Sequence, residues 1–265
     1  MNKPLSNVKV VVTRAKEQAV EFADILKKMG AEVIFFPTIK FEEPDNLTIV
    51  NKAIQSLSDN KNAYDWLIFT SANGVRFFFK RVKALGKEKS VLSNLKVGVV
   101  GPKTAEILRE EGVHIDLIPK DYSAEGLISG LLREGISGKK ILIPRARYGR
   151  EILPGTLRAN GAKVTLISVY RTVAPDGIDK GDILKATNDD SKVILTFTSG
   201  STVKNFFKLF DEKEKKFLKN KAKIAVISPV TAKAVEKMKF HVDIVPKVFT
   251  TKDLADEIAN FNKRT

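Results

Sequence analysis

Short apolar runs rich in β-branched residues punctuate the chain, and each gives way to a stretch whose apolar positions recur at helical spacing. VKVVVT (8–13), WLIFT (66–70), KILIP (140–144) and VILTFT (193–198) are of the first kind, and VRFFFKRV (75–82) is of the second. Runs of this length suit strands, and a following 3.6-residue period suits a helix, so the alternation predicts βαβ units around a parallel sheet. No window nears the roughly 18 uncharged apolar residues of a membrane span, and Met1 to Lys9 lacks the apolar centre of a signal peptide. A cytoplasmic location without membrane contact is therefore expected.

The pattern also repeats. Residues 8–39 align with 139–170, 64–79 with 193–207, and 96–127 with 223–254, so that Ser71 falls on Ser199, Thr104 on Thr231, Pro119 on Pro246 and His114 on His241. Three pairs in the same order imply an internal duplication, and a unit of roughly 100 residues or more is a domain rather than a solenoid repeat. With 265 residues, 43% of them hydrophobic, the chain has enough apolar mass for two such domains. Both are expected to be doubly wound α/β domains, which hold ligands beyond the carboxyl ends of their strands.

Small polar residues collect at those ends. Thr70-Ser71, Thr198-Ser199, Gly101-Pro102 and Ser228-Pro229 all stand where a strand stops and a helix starts. A helix N-terminus offers unpaired N–H groups and the positive end of a dipole, which favours anions, and proline suits the first turn. Each residue has a plainer reading as well. Ser71 and Ser199 can act simply as N-caps, and Thr104 and Thr231 can bond backbone within a first turn. Four such turns facing one cleft between two domains would make an anion site.

Composition narrows the chemistry. Cysteine is absent, which excludes disulfides and thiolate chemistry, and the two histidines, His114 and His241, are too few for an ordinary metal centre, so none is expected. Both precede the similar segments IDLIP and VDIVP, and they are read as markers of one exposed edge in each copy. No phosphate-binding G-x-x-x-x-G-K-[ST] loop or G-x-S-x-G elbow occurs, so nucleotide cofactors and a serine hydrolase lose support. The net charge of +15 favours a polyanionic partner. Part of it lies in the lysine-dense stretch 204–223, read as a solvated helix face with phenylalanines turned inward rather than as a nucleic-acid surface. Two arginines after equivalent strands, Arg14 and Arg145, and a strand-end tyrosine, Tyr170, remain as candidates. Arg14 is open to a structural ion-pair role and Tyr170 to a packing role.

Taken together, TSANGV (70–75), VGPKTA (100–105), ILIPRARYGRE (141–151), LRANGAKVTLISVYRT (157–172) and TFTSGSTVKNF (196–206) resemble the uroporphyrinogen-III synthase family over about residues 8–258. The resemblance implies two flavodoxin-like domains joined by a two-stranded β linker, with domain one comprising 1–40 and 174–265 and domain two 41–173. It implies a cofactor-independent, cyclising lyase of haem biosynthesis; nothing in the sequence indicates an oligomer, so a monomer is expected. Its substrate would be hydroxymethylbilane, a linear tetrapyrrole with eight carboxylates, closed to uroporphyrinogen III with inversion of ring D and loss of water. A transient contact with hydroxymethylbilane synthase is open. The family's leaving-group tyrosine corresponds to Tyr170, and its substrate contacts to Thr13, Arg14, Ser71, Asn73, Gly101, Thr104, Arg145, Ser199 and Thr231. Two departures stand out. Ser228 replaces a glycine and is expected to crowd the backbone, and Arg147 and Tyr148 are bulkier than the family's usual residues. The rival reading is a non-catalytic two-domain binding protein for a polyanionic small molecule.

Overall fold

In a computed structural model of the chain, residues 3–59, 63–188 and 191–264 are described. The chain divides into two compact units, Met1–Lys40 with Val173–Thr265, and Phe41–Thr172.

The first unit is built on strands β1 (Val8–Val12), β2 (Glu32–Phe35), β8 (Lys192–Phe197) and β9 (Ala222–Val226), in the order β2-β1-β8-β9 with every pairing parallel. Alternate side chains of β1 point to opposite faces, as the two-residue period of a strand requires. Val8, Val10 and Val12 join Phe22 and Leu26 of helix α1 (Lys16–Lys28) and Leu254 and Ile258 of α11 (Thr251–Arg264) on one face. Val11 joins Leu195 and Phe197 on the other, under Val203, Phe206 and Phe207 of α8 (Gly200–Lys208) and Val235 of α10 (Pro229–Glu236). The lysine-dense stretch is thereby explained: Phe206, Phe207 and Phe210 are buried, and Phe217 is half-buried.

The second unit carries β3 (Lys40–Glu42), β4 (Trp66–Phe69), β5 (Lys96–Val99), β6 (Lys140–Ala146) and β7 (Lys163–Val173), ordered β3-β7-β6-β4-β5. Strands β4, β5, β6 and β7 run parallel. Leu67 and Phe69 face Val75, Phe78, Phe79 and Val82 of α3 (Ala72–Ala84), together with Leu108 of α4 (Pro102–Glu110). Trp66 and Ile68 face Leu127 and Leu131 of α5 (Ala124–Arg133) and Leu157 of α6 (Ile152–Ala159). Burying each of the two fully buried phenylalanines of α3, Phe78 and Phe79, contributes about 1.5–3 kcal/mol, which anchors that helix against the sheet at the end of β4. Gly74 lets it come close: a Cβ there would lie 3.1 Å from the Pro144 carbonyl of β6.

Equivalent strands occupy equivalent places in the two sheets, with β2-β1-β8-β9 matching β7-β6-β4-β5. One device recurs in both. The Val97 N–H donates to the Asp116 carboxylate at 2.7 Å, and the Ile224 N–H to that of Asp243 at 2.8 Å. His114 and His241 are both exposed. Among the described residues no helix is long and apolar enough to cross a membrane, and no cluster of three metal-ligating side chains occurs.

Candidate active site

The strand-to-helix turns of the second unit surround a cavity of about 500 Å³ at the carboxyl ends of β4 and β6. Ser71, Arg145 and Tyr170 all line it. Ser71 is the N-cap of α3 and accepts the Gly74 N–H at 3.0 Å. Its Oγ also lies 3.2 Å from the Tyr170 hydroxyl, so capping and site geometry meet in one atom.

Tyr170 reaches this place through a break in strand register. Arg145 pairs with Ser168, but the next residue, Ala146, pairs with Tyr170, because the ladder shifts between Arg145 and Ala146. A bulge of this kind re-aims the side chains beyond it. The Arg147 N–H then donates to the Tyr170 carbonyl at 3.0 Å. The ring, 8% exposed, stacks on Phe77 at 5.5 Å and meets the edge of Phe41 at 5.7 Å. Packing fixes the ring and leaves only its hydroxyl end to act.

Arg145 is occupied differently from expectation. Its guanidinium donates to the carbonyls of Gly149 and Arg150, both at 3.3 Å, and to the Glu151 carboxylate at 2.7 Å. It braces the turn that follows its own strand, and a substrate carboxylate would have to replace Glu151 to be bound there.

Sequence reasoning did not single out Tyr122, Ser123 or Arg150, which also line the cavity. Ser123 caps α5 by accepting the Gly126 N–H at 2.8 Å and donates to Asp121 at 2.6 Å, a bond that holds the Asp121 carboxyl below its ordinary pKa. Tyr122 has a left-handed backbone (φ 50°), unusual for a large side chain, and is 56% exposed. The signal was present in the repeat, since residue 122 aligns with Phe249, another exposed aromatic in the other unit. Asn73 and Thr104 are buried in the first turns of α3 and α4, and Gly101 is the N-cap of α4 without a side-chain cap. None of these three lines the cavity.

The remaining candidates belong to the first unit. Thr13 is fully buried and its hydroxyl donates to the Thr196 carbonyl at 2.7 Å, so that side chain ties β1 to β8 instead of facing a ligand. Ser199 caps α8 in a capping box with Thr202. Ser228, expected to crowd the backbone, caps α10, accepting the N–H of the buried Thr231, and so occupies a donor that Gly101 leaves uncapped in α4. Arg14 stands at the end of β1 beside a second hollow of about 320 Å³ lined by Lys16, Val20, Phe35 and Pro37. Its Nε is buried without a partner, and desolvation lowers its pKa against an opposing pull from Glu21.

The sequence matches the family model described as uroporphyrinogen-III synthase HemD over residues 20–256. A Methanocaldococcus jannaschii protein provisionally named for the same synthase is 36% identical over 97% of this chain and 100% of its own. The uroporphyrinogen-III synthase of Synechococcus elongatus is 34% identical over 78% of this chain and 76% of its own. Among solved structures, the Helicobacter pylori uroporphyrinogen-III synthetase superposes with a TM-score of 0.62 at 16% identity, covering 97% of this chain and 99% of that one. At that identity the superposition speaks for the fold: α/β with parallel sheets. These matches do not favour the non-catalytic binding alternative.

Proposed function

Because the chain belongs to the uroporphyrinogen-III synthase family of tetrapyrrole biosynthesis, we propose that its reaction is the closure of hydroxymethylbilane to uroporphyrinogen III, with ring D inverted and water lost. The observation that carries this reading is the pairing of Tyr170 and Ser71, 3.2 Å apart, in the wall of a cavity that a helix N-terminus and Arg145 also border.

The first difficulty of the reaction is departure of a hydroxyl from the terminal carbon of the bilane. Hydroxide is a poor leaving group, and a proton donated in the transition state removes that obstacle. Tyr170 supplies it. Ser71 already accepts the Gly74 N–H, so its own hydroxyl hydrogen can turn to the phenolic oxygen, leaving the Tyr170 O–H to point at the departing oxygen. The positive end of α3 favours the negative charge that develops on the Tyr170 oxygen as it gives up its proton. Expulsion by the pyrrole nitrogen lone pair leaves an azafulvene. The substituted carbon of ring D attacks it, the spiro intermediate fragments, and closure through the free carbon of ring D releases the proton that regenerates the phenol. The protein's larger contribution is holding the chain ends in a reactive arrangement.

Charge supports the substrate class. Eight carboxylates suit a chain of net charge +15, and each charge-assisted bond is worth about 1.5–3 kcal/mol before desolvation. On the same reading no cofactor takes part, and the two units are flavodoxin-like copies of one duplicated domain joined by a two-stranded β linker. The enzyme is cytoplasmic and monomeric, and takes its bilane from hydroxymethylbilane synthase in a transient contact. The test is to supply freshly made hydroxymethylbilane to the pure chain, oxidise the products and separate the porphyrin isomers. Type III in excess is expected, and type I alone at the spontaneous rate would overturn the reading.

A further inference from the structure

Proton transfer and carboxylate binding leave part of the cavity without a task. Three of the chain's four tyrosines, Tyr122, Tyr148 and Tyr170, line it. Tyr170 is held by packing, whereas Tyr148 is 82% exposed. A ring left in water contributes little to folding, yet Tyr148 sits in the turn that the Arg145 guanidinium braces through Gly149, Arg150 and Glu151. An arginine with three partners around one turn orders that turn, and the large apolar surface it presents to the cavity is the Tyr148 ring.

The surroundings indicate what the ring receives. The Arg147 guanidinium carbon lies 5.7 Å from the centre of the Tyr148 ring, which places a π-face and a cation side by side. Among the described residues neither Arg147 nor Arg150 has a carboxylate partner. A flat aromatic ring bearing a carboxylate answers both features at once, by stacking and by a charge-assisted hydrogen bond.

We infer that Tyr148, with Arg147 beside it, binds one carboxylate-bearing pyrrole ring of the tetrapyrrole, and that Arg145 positions the turn presenting them. This deepens the proposed function and rests on its substrate class. Bulk at residues 147 and 148 then acts in recognition, beyond filling surface.

The experiment titrates uroporphyrin III into the wild type, Tyr148→Ala, Tyr148→Phe and Arg147→Ala, with a single-stranded oligonucleotide as parallel ligand. At its exposure Tyr148 can be replaced without unfolding the chain, which equal melting temperatures verify. Tyr148→Ala is expected to weaken porphyrin binding at least about fivefold, while Tyr148→Phe, which keeps the ring, holds the wild-type value. Arg147→Ala is expected to weaken it several-fold and to flatten its salt dependence. Unchanged affinity in Tyr148→Ala overturns the inference, as does equal loss in Tyr148→Phe or a loss confined to the oligonucleotide. Isomer analysis of the wild type separates the two readings. Type III formation with unchanged affinity in Tyr148→Ala removes this inference alone, and no type III with reduced affinity in Tyr148→Ala keeps the ring contact and removes the reaction.

Discussion

The hydroxyls of Ser71 and Tyr170 stand 3.2 Å apart although 99 residues separate them in the chain. Ser71 is fixed by capping α3, and Tyr170 by its rings' contacts with Phe77 and Phe41. Each therefore reaches the other from a rigid element, which is how a proton donor is held within bonding range.

Ser71→Ala removes a helix cap and the partner of Tyr170 together. Loss of the cap is expected to cost about 0.5–2 kcal/mol in stability, measurable by denaturant unfolding. Turnover should also fall, and the loss should not add to that of Tyr170→Phe in the double variant. Additive losses would show that the two hydroxyls act separately.

Replacing Arg145 by lysine keeps the charge but cannot reproduce a fork that reaches two carbonyls and a carboxylate. Hydrogen exchange in residues 146–151 should speed up, and uroporphyrin affinity should fall about three- to tenfold. Slow exchange in that segment would mean that the turn holds itself.

Arg14 tests the opposite balance. A cation whose buried Nε lacks a partner is a net cost, so Arg14→Met should leave the melting temperature unchanged or raise it by up to a few degrees. If Arg14 also meets a substrate carboxylate, KM rises in the same variant. A marked fall in melting temperature would show that Arg14 is a structural ion-pair partner.

Asp65 provides a pH signature. It accepts the Lys140 N–H at 2.8 Å and faces Lys139 at 3.3 Å, and the backbone bond leads the causes that lower its pKa. A carboxyl depressed in the folded state stabilises above its unfolded pKa, and that gain is lost as pH falls through the folded value. Asp65→Asn should thus lower the melting temperature at pH 7 by up to about 2 °C, with the difference closing below about pH 4. A difference that persists at low pH would place its cause outside the charge.

Much of the fold was legible because it is local. WLIF and VKVVV are short, nearly continuous apolar runs, as strands covered on both faces require, α3 has the 3.6-residue period, and the turns that end β4, β5, β8 and β9 fell where small polar residues collect. The discontinuous unit left no local trace, since β1 pairs with β8 across more than 180 residues; its outline came only from the family resemblance. The site was half legible. Ser71 and Tyr170 could be named, but the register shift that joins them depends on strand pairing, which a single sequence does not display. Thr13 misled for a related reason, its strand-end hydroxyl being consumed by the neighbouring strand. The brace that Arg145 forms was not legible either, because the turn that it holds has no periodicity to read.

The most direct test of the account compares type III formation by the wild type and by Tyr170→Phe under single-turnover conditions with fresh hydroxymethylbilane. The variant should remain folded and form type III at least about tenfold more slowly, near 1.4 kcal/mol of barrier, with spontaneous type I taking up the difference. Type III formed by the variant at the wild-type rate would remove Tyr170 from the mechanism and contradict the account.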